Sequence, residues 1–152
     1  MKRRTLLQFC SAFVLAGGAV FAGDARQTLA DTREFAFGGV GVAGTTSAGE
    51  LAFREVLKSP TAKADFAALT DGPNAPGRCY GLVGLRAVDP IAYRARIDRF
   101  RKDNTEVKTI AGCTIFTQPM SAVVVNIDAG RYDGYAKNPS PSRDGTTGRK
   151  GG

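Results

Sequence analysis

The side chains that could do chemistry in this chain are chiefly carboxylates, because the 152-residue sequence contains no histidine. Histidine is the commonest general base and metal ligand, so its absence excludes Ser-His-Asp and Cys-His catalysis and any zinc site built on imidazole. The carboxylates are scattered and show no calcium-loop spacing. They include Glu50, Glu55, Asp65, Asp71, Asp89, Asp98 and Asp128. The sequence therefore assigns no catalytic, cofactor-binding or metal-ligating residue, although a spatial pair of carboxylates would suit a small hydrolase.

A glycine-rich stretch from Gly39 to Gly44 matches the G-x-G-x-x-G pattern of nucleotide-binding loops. That fingerprint also needs a second parallel strand after the following helix, ending in an acidic residue. The chain instead predicts another helix after Lys58, and the Gly-Lys-Ser/Thr ending of a P-loop is absent. We favour a pliable loop packed against the core and expect no cofactor. A phosphate-binding enzyme is the alternative.

Two of the three cysteines, Cys79 and Cys113, lie beyond the N-terminal segment. In an oxidising compartment, two cysteines in a small domain most simply form one disulfide. Two separate buried thiols are the alternative. We expect the disulfide, which would contribute about 3–4 kcal/mol to stability by closing a long loop.

The densest basic cluster of the central region lies between residues 94 and 102. It consists of Arg94, Arg96, Arg99, Arg101 and Lys102, with Asp98 as the acidic residue among them. Such a run is most often the solvated face of an amphipathic helix. It can also dock an acidic partner. We retain these five residues as candidate partner-binding residues.

Residues 1–22 have the pattern of a secretory signal peptide. The basic residues Lys2-Arg3-Arg4 precede an uncharged run that ends at Ala22. We predict cleavage after Ala22, with Ala25 as second choice, and a periplasmic or secreted protein. General secretion is favoured over twin-arginine export, which the arginine pair also resembles. A retained membrane anchor is the alternative, but the run is short for a membrane span, so no stable insertion is expected after cleavage.

Basic charge is concentrated at the two ends of the chain. The formal net charge is +7, yet residues 2–4 leave with the signal and further basic residues lie beyond residue 136. The part between is nearly neutral, whereas nucleic-acid-binding domains usually concentrate basic residues on the folded surface. We therefore expect no nucleic-acid partner.

Apolar periodicity and capping residues predict a mostly α-helical single domain over residues 47–136. A capping box at Ser47 and Glu50 opens the first helix. Asp89 followed by Pro90 predicts the start of another helix, with Asp89 as its N-cap and Pro90 at its first position. The predicted helices run from Ser47 to about Lys58, from Ser59-Pro60 to Gly72, from about Ala75 to Val88 and from Pro90 to about Lys102. These four helices form two helical hairpins.

The remaining segments are predicted from composition. Residues 23–46 are expected to be a flexible lead-in and glycine-rich loop, and residues 137–152 a disordered tail. Residues 106–118 are rich in β-branched side chains, which predicts one strand or two short strands broken at Gly112. A C-terminal helix is expected from about Pro119 to Ala129. The predicted fold is thus two helical hairpins, a short β or extended segment and a C-terminal helix.

The stretch from Cys79 to Tyr93 resembles the middle of a HEAT-like helical repeat, in which one helix ends at Asp-Pro and the next returns. The resemblance implies an interaction module and brings no catalytic residues. The chain as a whole resembles small exported bacterial proteins. Our leading hypothesis is an exported, non-catalytic helical protein that binds another macromolecule, a protein partner in the cell envelope. The alternatives are a small carboxylate-dependent or phosphate-binding enzyme and, if the first segment stays uncut, a membrane-attached accessory protein.

Overall fold

The computed structural model describes residues 19–137, with side chains described from Gly23 onward. The predicted signal segment is therefore covered only from Ala19, and the predicted tail beyond Lys137 lies outside the described residues. The described part contains seven α-helices, a 3-10 turn and a four-stranded sheet. The helices are α1 (Ala19–Asp31), α2 (Ala48–Lys58), α3 (Ala62–Thr70), α4 (Ala75–Val88), α5 (Pro90–Ile97), α6 (Met120–Asp128) and α7 (Asp133–Lys137), and the 3-10 turn is Asp98–Phe100. The strands are β1 (Phe35–Val40), β2 (Thr45–Thr46), β3 (Glu106–Gly112) and β4 (Thr114–Pro119).

Helices make up most of the described part, as predicted, but the four-stranded sheet makes the domain α plus β, so the prediction of a mostly α-helical fold is confirmed only in part. Its strand order is β2-β1-β3-β4. The β1–β3 pair is parallel, with Phe35 opposite Thr109, and the two outer pairs are antiparallel. The long crossover that a parallel pair requires carries helices α2 to α5. The β3–β4 hairpin confirms the alternative of two short strands, and Gly112 begins its turn at φ 57°.

Residues 23–46 are structured, which differs from the expected flexible lead-in. Most of them form α1 and the strands β1 and β2. Leu29 of α1 is fully buried, and Phe35 and Phe37 of β1 belong to the same hydrophobic core. The charged residues of α1, which are Asp24, Arg26 and Asp31, are exposed, and this leaves one apolar side of the helix free to pack.

Most of the predicted helix boundaries agree with the structure. Ser47 caps α2 by accepting a hydrogen bond from the Glu50 backbone N–H at 3.0 Å, and Asp89 caps α5 through the Ala92 N–H at 3.0 Å. The other half of the capping box differs, because the Glu50 carboxylate accepts from the Gly38 N–H at 2.8 Å and from Arg54. The second helix begins at Ala62, later than predicted.

Helix α4 is the centre of the domain and three of its glycines allow close packing. A Cβ at Gly77 would lie 2.8 Å from the Leu29 carbonyl oxygen of α1, and one at Gly81 would lie 2.9 Å from the Phe66 carbonyl oxygen of α3. A Cβ at Gly84 would overlap the Phe66 ring. Glycine weakens a helix by about 1 kcal/mol relative to alanine. Here the missing Cβ lets α1 and α3 approach the α4 backbone.

Candidate partner-binding groove

A groove of about 690 Å³ lies between the end of α4 and helices α5, α6 and α7. Its apolar surface comes from Leu57, Val88, Ile97, Ala136 and the Tyr93 ring. Its charged side chains are Arg86, Arg94, Asp98, Arg101, Asp128, Asp133 and Lys137. The groove therefore combines an apolar surface with a charged surface of both signs.

A hydrogen-bonded network organises one side of the groove around Asp128. The Tyr93 hydroxyl donates to Asp128 Oδ1 at 3.1 Å, and Arg101 Nη2 donates to Asp128 Oδ2 at 2.8 Å. Arg101 Nε also donates to Asp98 Oδ1 at 2.9 Å. These contacts join the α5 region to the end of α6 and fix the orientation of the Arg101 guanidinium.

A second ion pair attaches α7 to the central helix. Arg86 Nε lies 2.9 Å from Asp133 Oδ1, and Arg86 Nη2 lies 3.4 Å from Asp133 Oδ2. The Arg86 guanidinium carbon is 5.6 Å from the centroid of the Tyr93 ring, within cation–π range. Arg86 thus contacts both the Asp133 carboxylate and the aromatic wall of the groove.

The pKa shift of Asp128 does not favour a role for this carboxylate as a proton donor. Hydrogen bonding from Arg101 is the main cause that lowers the pKa of Asp128, with a smaller contribution from Tyr93. Burial, assisted by the Asp128 carboxylate, raises the pKa of Tyr93 to about 12. A carboxylate-pair hydrolase needs one carboxyl whose pKa is raised so that it can donate a proton. Asp128 is shifted in the opposite direction.

Two cations of the groove, Arg94 and Lys137, are exposed and make no ion pair or side-chain hydrogen bond with any described residue. The three groove carboxylates are all engaged by arginines. The groove side chains that remain available to a ligand are therefore positively charged. They favour a ligand that carries a carboxylate group.

The predicted basic cluster is divided among different surfaces. Arg94 and Arg101 line the groove. Arg99 instead donates to Asp71 Oδ1 at 2.6 Å and to the Thr70 carbonyl oxygen at 2.8 Å, which ties the 3-10 turn to the end of α3. Arg96 is half-buried and its Nη1 lies 3.4 Å from the Ala92 carbonyl oxygen, while Lys102 is exposed away from the groove. The cluster is one run in sequence but not one surface in space.

The predicted disulfide between Cys79 and Cys113 is not formed in the structure, where both residues are free thiols. Cys79 is fully buried on α4, and its Sγ lies 3.3 Å from Met120 Sδ. Cys113 is exposed at the turn of the β3–β4 hairpin. The hairpin carries Cys113 out to the surface, whereas Cys79 faces the interior.

The glycine-rich stretch is a hairpin turn between β1 and β2. The Gly41 N–H donates to the Gly112 carbonyl oxygen at 2.9 Å, and the Gly44 N–H donates to the Gly41 carbonyl oxygen at 3.1 Å. These amides are used within the backbone and do not converge on a helix N-terminus, which is where a phosphate is held in nucleotide-binding loops. Within residues 19–137, no three histidine, cysteine, aspartate or glutamate side chains lie together as a metal site would require.

Several groove residues could not be recognised from sequence. Arg86, Asp128 and Asp133 lie on three separate helices, and their contacts depend on how α4, α6 and α7 pack. The sequence indicated only that Tyr93 is buried, because its spacing from Ile97 and Phe100 is typical of one apolar helix face. No pattern in the neighbouring residues predicts the hydrogen bond from the Tyr93 hydroxyl to Asp128.

No family model, curated protein or solved structure matches this chain. The resemblance of residues 79–93 to a HEAT-like repeat therefore stays a prediction. None of the helices in the described part of the chain has the length and apolarity needed to cross a membrane.

Proposed function

We propose that this chain is an exported, non-catalytic protein that binds another protein in the cell envelope through the α4–α7 groove. The observation that carries the proposal is the combination of an apolar groove with two exposed, unpartnered cations, Arg94 and Lys137, among the described residues. The partner chemistry that fits is a peptide segment with a large apolar side chain flanked by carboxylates.

The size and lining of the groove support this proposal. A volume of about 690 Å³ falls in the range of ligand-binding clefts and has room for an apolar anchor side chain. Binding energy at interfaces usually comes from a few such anchors, while rim charges set specificity and association rate. In the groove, Ile97, Val88 and Tyr93 supply apolar contacts, and Arg94 and Lys137 supply charge.

The enzyme alternative has weaker support. Each carboxylate of the groove already pairs with an arginine. The pKa of Asp128 is lowered rather than raised. The buried Glu50 carboxylate accepts hydrogen bonds from Gly38 and Arg54, so it joins β1 to α2. These carboxylates hold elements together and leave no polarised pair open to a substrate.

The proposal can be tested with two matched sets of short peptides. Each peptide carries a central leucine or phenylalanine, and the flanking residues are glutamate in one set and glutamine in the other. We expect fluorescence anisotropy to show binding of glutamate peptides that weakens with added salt, since exposed charge pairs are screened. The double variant R94E/K137E should reduce their affinity at least about tenfold, because two attractive contacts become repulsive.

A charge-matched control distinguishes the groove from a general effect of net charge. Lys102 and Arg131 are exposed and do not line the groove. The double variant K102E/R131E should therefore bind like the unmodified protein. Equal loss of affinity in both double variants, or equal binding of glutamate and glutamine peptides, would contradict the groove as the recognition site.

A further inference from the structure

The two edges of the sheet differ in how much backbone they leave open. At the β1 edge, the Tyr80 hydroxyl accepts from the Ala36 N–H at 3.0 Å and donates to the Ala36 carbonyl oxygen at 2.8 Å, and β2 covers Gly39 and Val40. At the other edge, β4 pairs with β3 on one side and with no other strand within residues 19–137. Alternate residues of such a strand direct their N–H and C=O groups outward.

Between Cys113 and Pro119, the β4 edge carries none of the charged side chains that commonly protect an edge strand against pairing. Natural edge strands commonly carry lysine or other charges, or are covered. No charged residue occurs between Lys108 and Asp128, and Ile115 and Phe116 in β4 are 59% and 49% exposed. The strand thus offers open hydrogen-bonding groups and apolar side chains with no charge to repel a second copy of itself.

We propose that β4 pairs antiparallel with β4 of a second copy of this chain, which joins the two sheets into one. The strand is bounded by the turn residue Cys113 and by Pro119, which has no N–H to donate. The segment between them is centred on Phe116. A two-fold axis at Phe116 therefore uses the whole segment and keeps Pro119 out of the paired part.

This register makes favourable side-chain pairs on both faces. Phe116 meets its own copy beside the groove that it forms with Phe35, Phe37 and Tyr132. On the opposite face, Ile115 of one copy lies opposite Thr117 of the other. Aromatic pairs and β-branched pairs are among the stabilising cross-strand combinations.

The dimer is expected to be weak, because a strand pair of this length involves fewer residues than a stable interface of about 20–30 residues a side. We expect a dissociation constant of about 10–100 μM. Sedimentation velocity of the full chain over a concentration series should show a reversible monomer–dimer equilibrium. A protein that stays monomeric up to about ten times that range would overturn the proposal.

A pair of charge variants tests the register itself. In I115K/T117K, the two-fold axis places lysine opposite lysine, so the dimer should dissociate at least about tenfold more readily. In I115K/T117E, the same axis places lysine opposite glutamate, so dimerisation should be kept. Because Lys108 lies opposite Thr117 within the hairpin, circular dichroism must first establish that both variants fold. The control V42K changes a fully exposed turn residue and should not alter the equilibrium.

Spin labels provide a readout that does not depend on those variants. In a Cys10→Ser background, a nitroxide on the exposed Cys113 should give an intermolecular distance of about 20–30 Å, as expected for two labels on either side of the Phe116 axis. A dimer without that distance, or equal dissociation constants for the two double variants, would overturn pairing through β4. Monomers that capture an added extended peptide at β4 would equally overturn self-pairing.

Discussion

At the residue scale, the Tyr80 hydroxyl performs the role of a neighbouring strand. It is buried and satisfies both the N–H and the C=O of Ala36. Its ring also packs edge-on against Phe35 and Phe37, with centroid distances of 5.0 and 5.2 Å. One side chain on α4 therefore closes a gap in the sheet and anchors the sheet to the helices.

Replacing Tyr80 by phenylalanine should destabilise the domain by about 1–3 kcal/mol. The change keeps the ring but leaves the buried Ala36 N–H without its partner, while the Ala36 carbonyl oxygen still accepts from the Ser47 hydroxyl at 3.1 Å. An unsatisfied buried group costs about 1–3 kcal/mol. Urea unfolding followed by far-UV circular dichroism measures the loss. Tyr132→Phe is the control, because no described residue hydrogen-bonds to the Tyr132 hydroxyl. A Tyr80→Phe variant as stable as the control would contradict this role.

Alkaline pH should destabilise the fold through two tyrosines. Burial raises the pKa of Tyr80 and of Tyr93 to about 12. An unfolded tyrosine ionises near pH 10, so the unfolded chain binds fewer protons than the folded one above that pH. The stability contribution is complete below pH 10 and is lost as the pH rises toward 12. Urea unfolding at several pH values should show this decline, and a flat profile over pH 10–12 would contradict it.

The two cysteines should differ in reactivity. Burial raises the pKa of the Cys79 thiol, and reactive thiolate is scarce in such surroundings. Cys113 is exposed. Brief maleimide labelling of the native protein followed by peptide mass spectrometry should modify Cys113 and spare Cys79, with both modified after unfolding. A peptide pair linked through Cys79 and Cys113 would instead establish the disulfide predicted from sequence.

At the element scale, α1 is part of the core. Leu29 is fully buried, and the Ala30 carbonyl oxygen accepts a hydrogen bond from Asn74 Nδ2 at 2.9 Å. Asn74 precedes α4, so its side chain ties the end of α1 to the start of the central helix. Asn74 stands at the N-cap position of α4, but its side chain makes no capping hydrogen bond there and serves this contact instead.

Truncating Leu29 to alanine should cost about 2–5 kcal/mol of unfolding free energy, the range for large-to-small changes in a packed core. Leu51→Ala is the matched control, because Leu51 of α2 is 46% exposed and its truncation should cost far less. Both free energies come from urea titration. If the two variants lose equal stability, α1 does not belong to the core.

Local signals in the sequence predicted α2, α4 and a β segment over residues 106–118, because caps, proline positions and β-branched runs act over a few residues. They left open whether that segment is one strand or the two strands of the β3–β4 hairpin. The same signals could not predict β1 as an inner strand. Its parallel partner β3 is far away in sequence, and only the packing of the intervening helices brings them together. The groove could not be predicted from local sequence patterns for the same reason, since Arg86, Tyr93 and Asp128 lie on three different helices.

At the scale of the whole molecule, the predicted signal cleavage has a structural consequence. Cleavage after Ala22 keeps the buried residues Ala25 and Leu29 of α1 in the mature chain. Cleavage after Ala25 would remove the first of them from the core. If the chain is exported as we propose, the packing of α1 therefore favours the cut after Ala22. N-terminal sequencing of the mature protein would check this, and a start at Arg26 would contradict it.

The most direct test of the central proposal is methyl NMR during titration with the glutamate-flanked peptide. The methyl groups of Leu57, Val88 and Ile97 line the groove and should shift together and saturate at one affinity. The buried Val107 methyls lie in the sheet and should stay in place. Shifts confined to Ile115 in β4, or no saturable shift in the groove methyls, would contradict the α4–α7 groove as the partner-binding site.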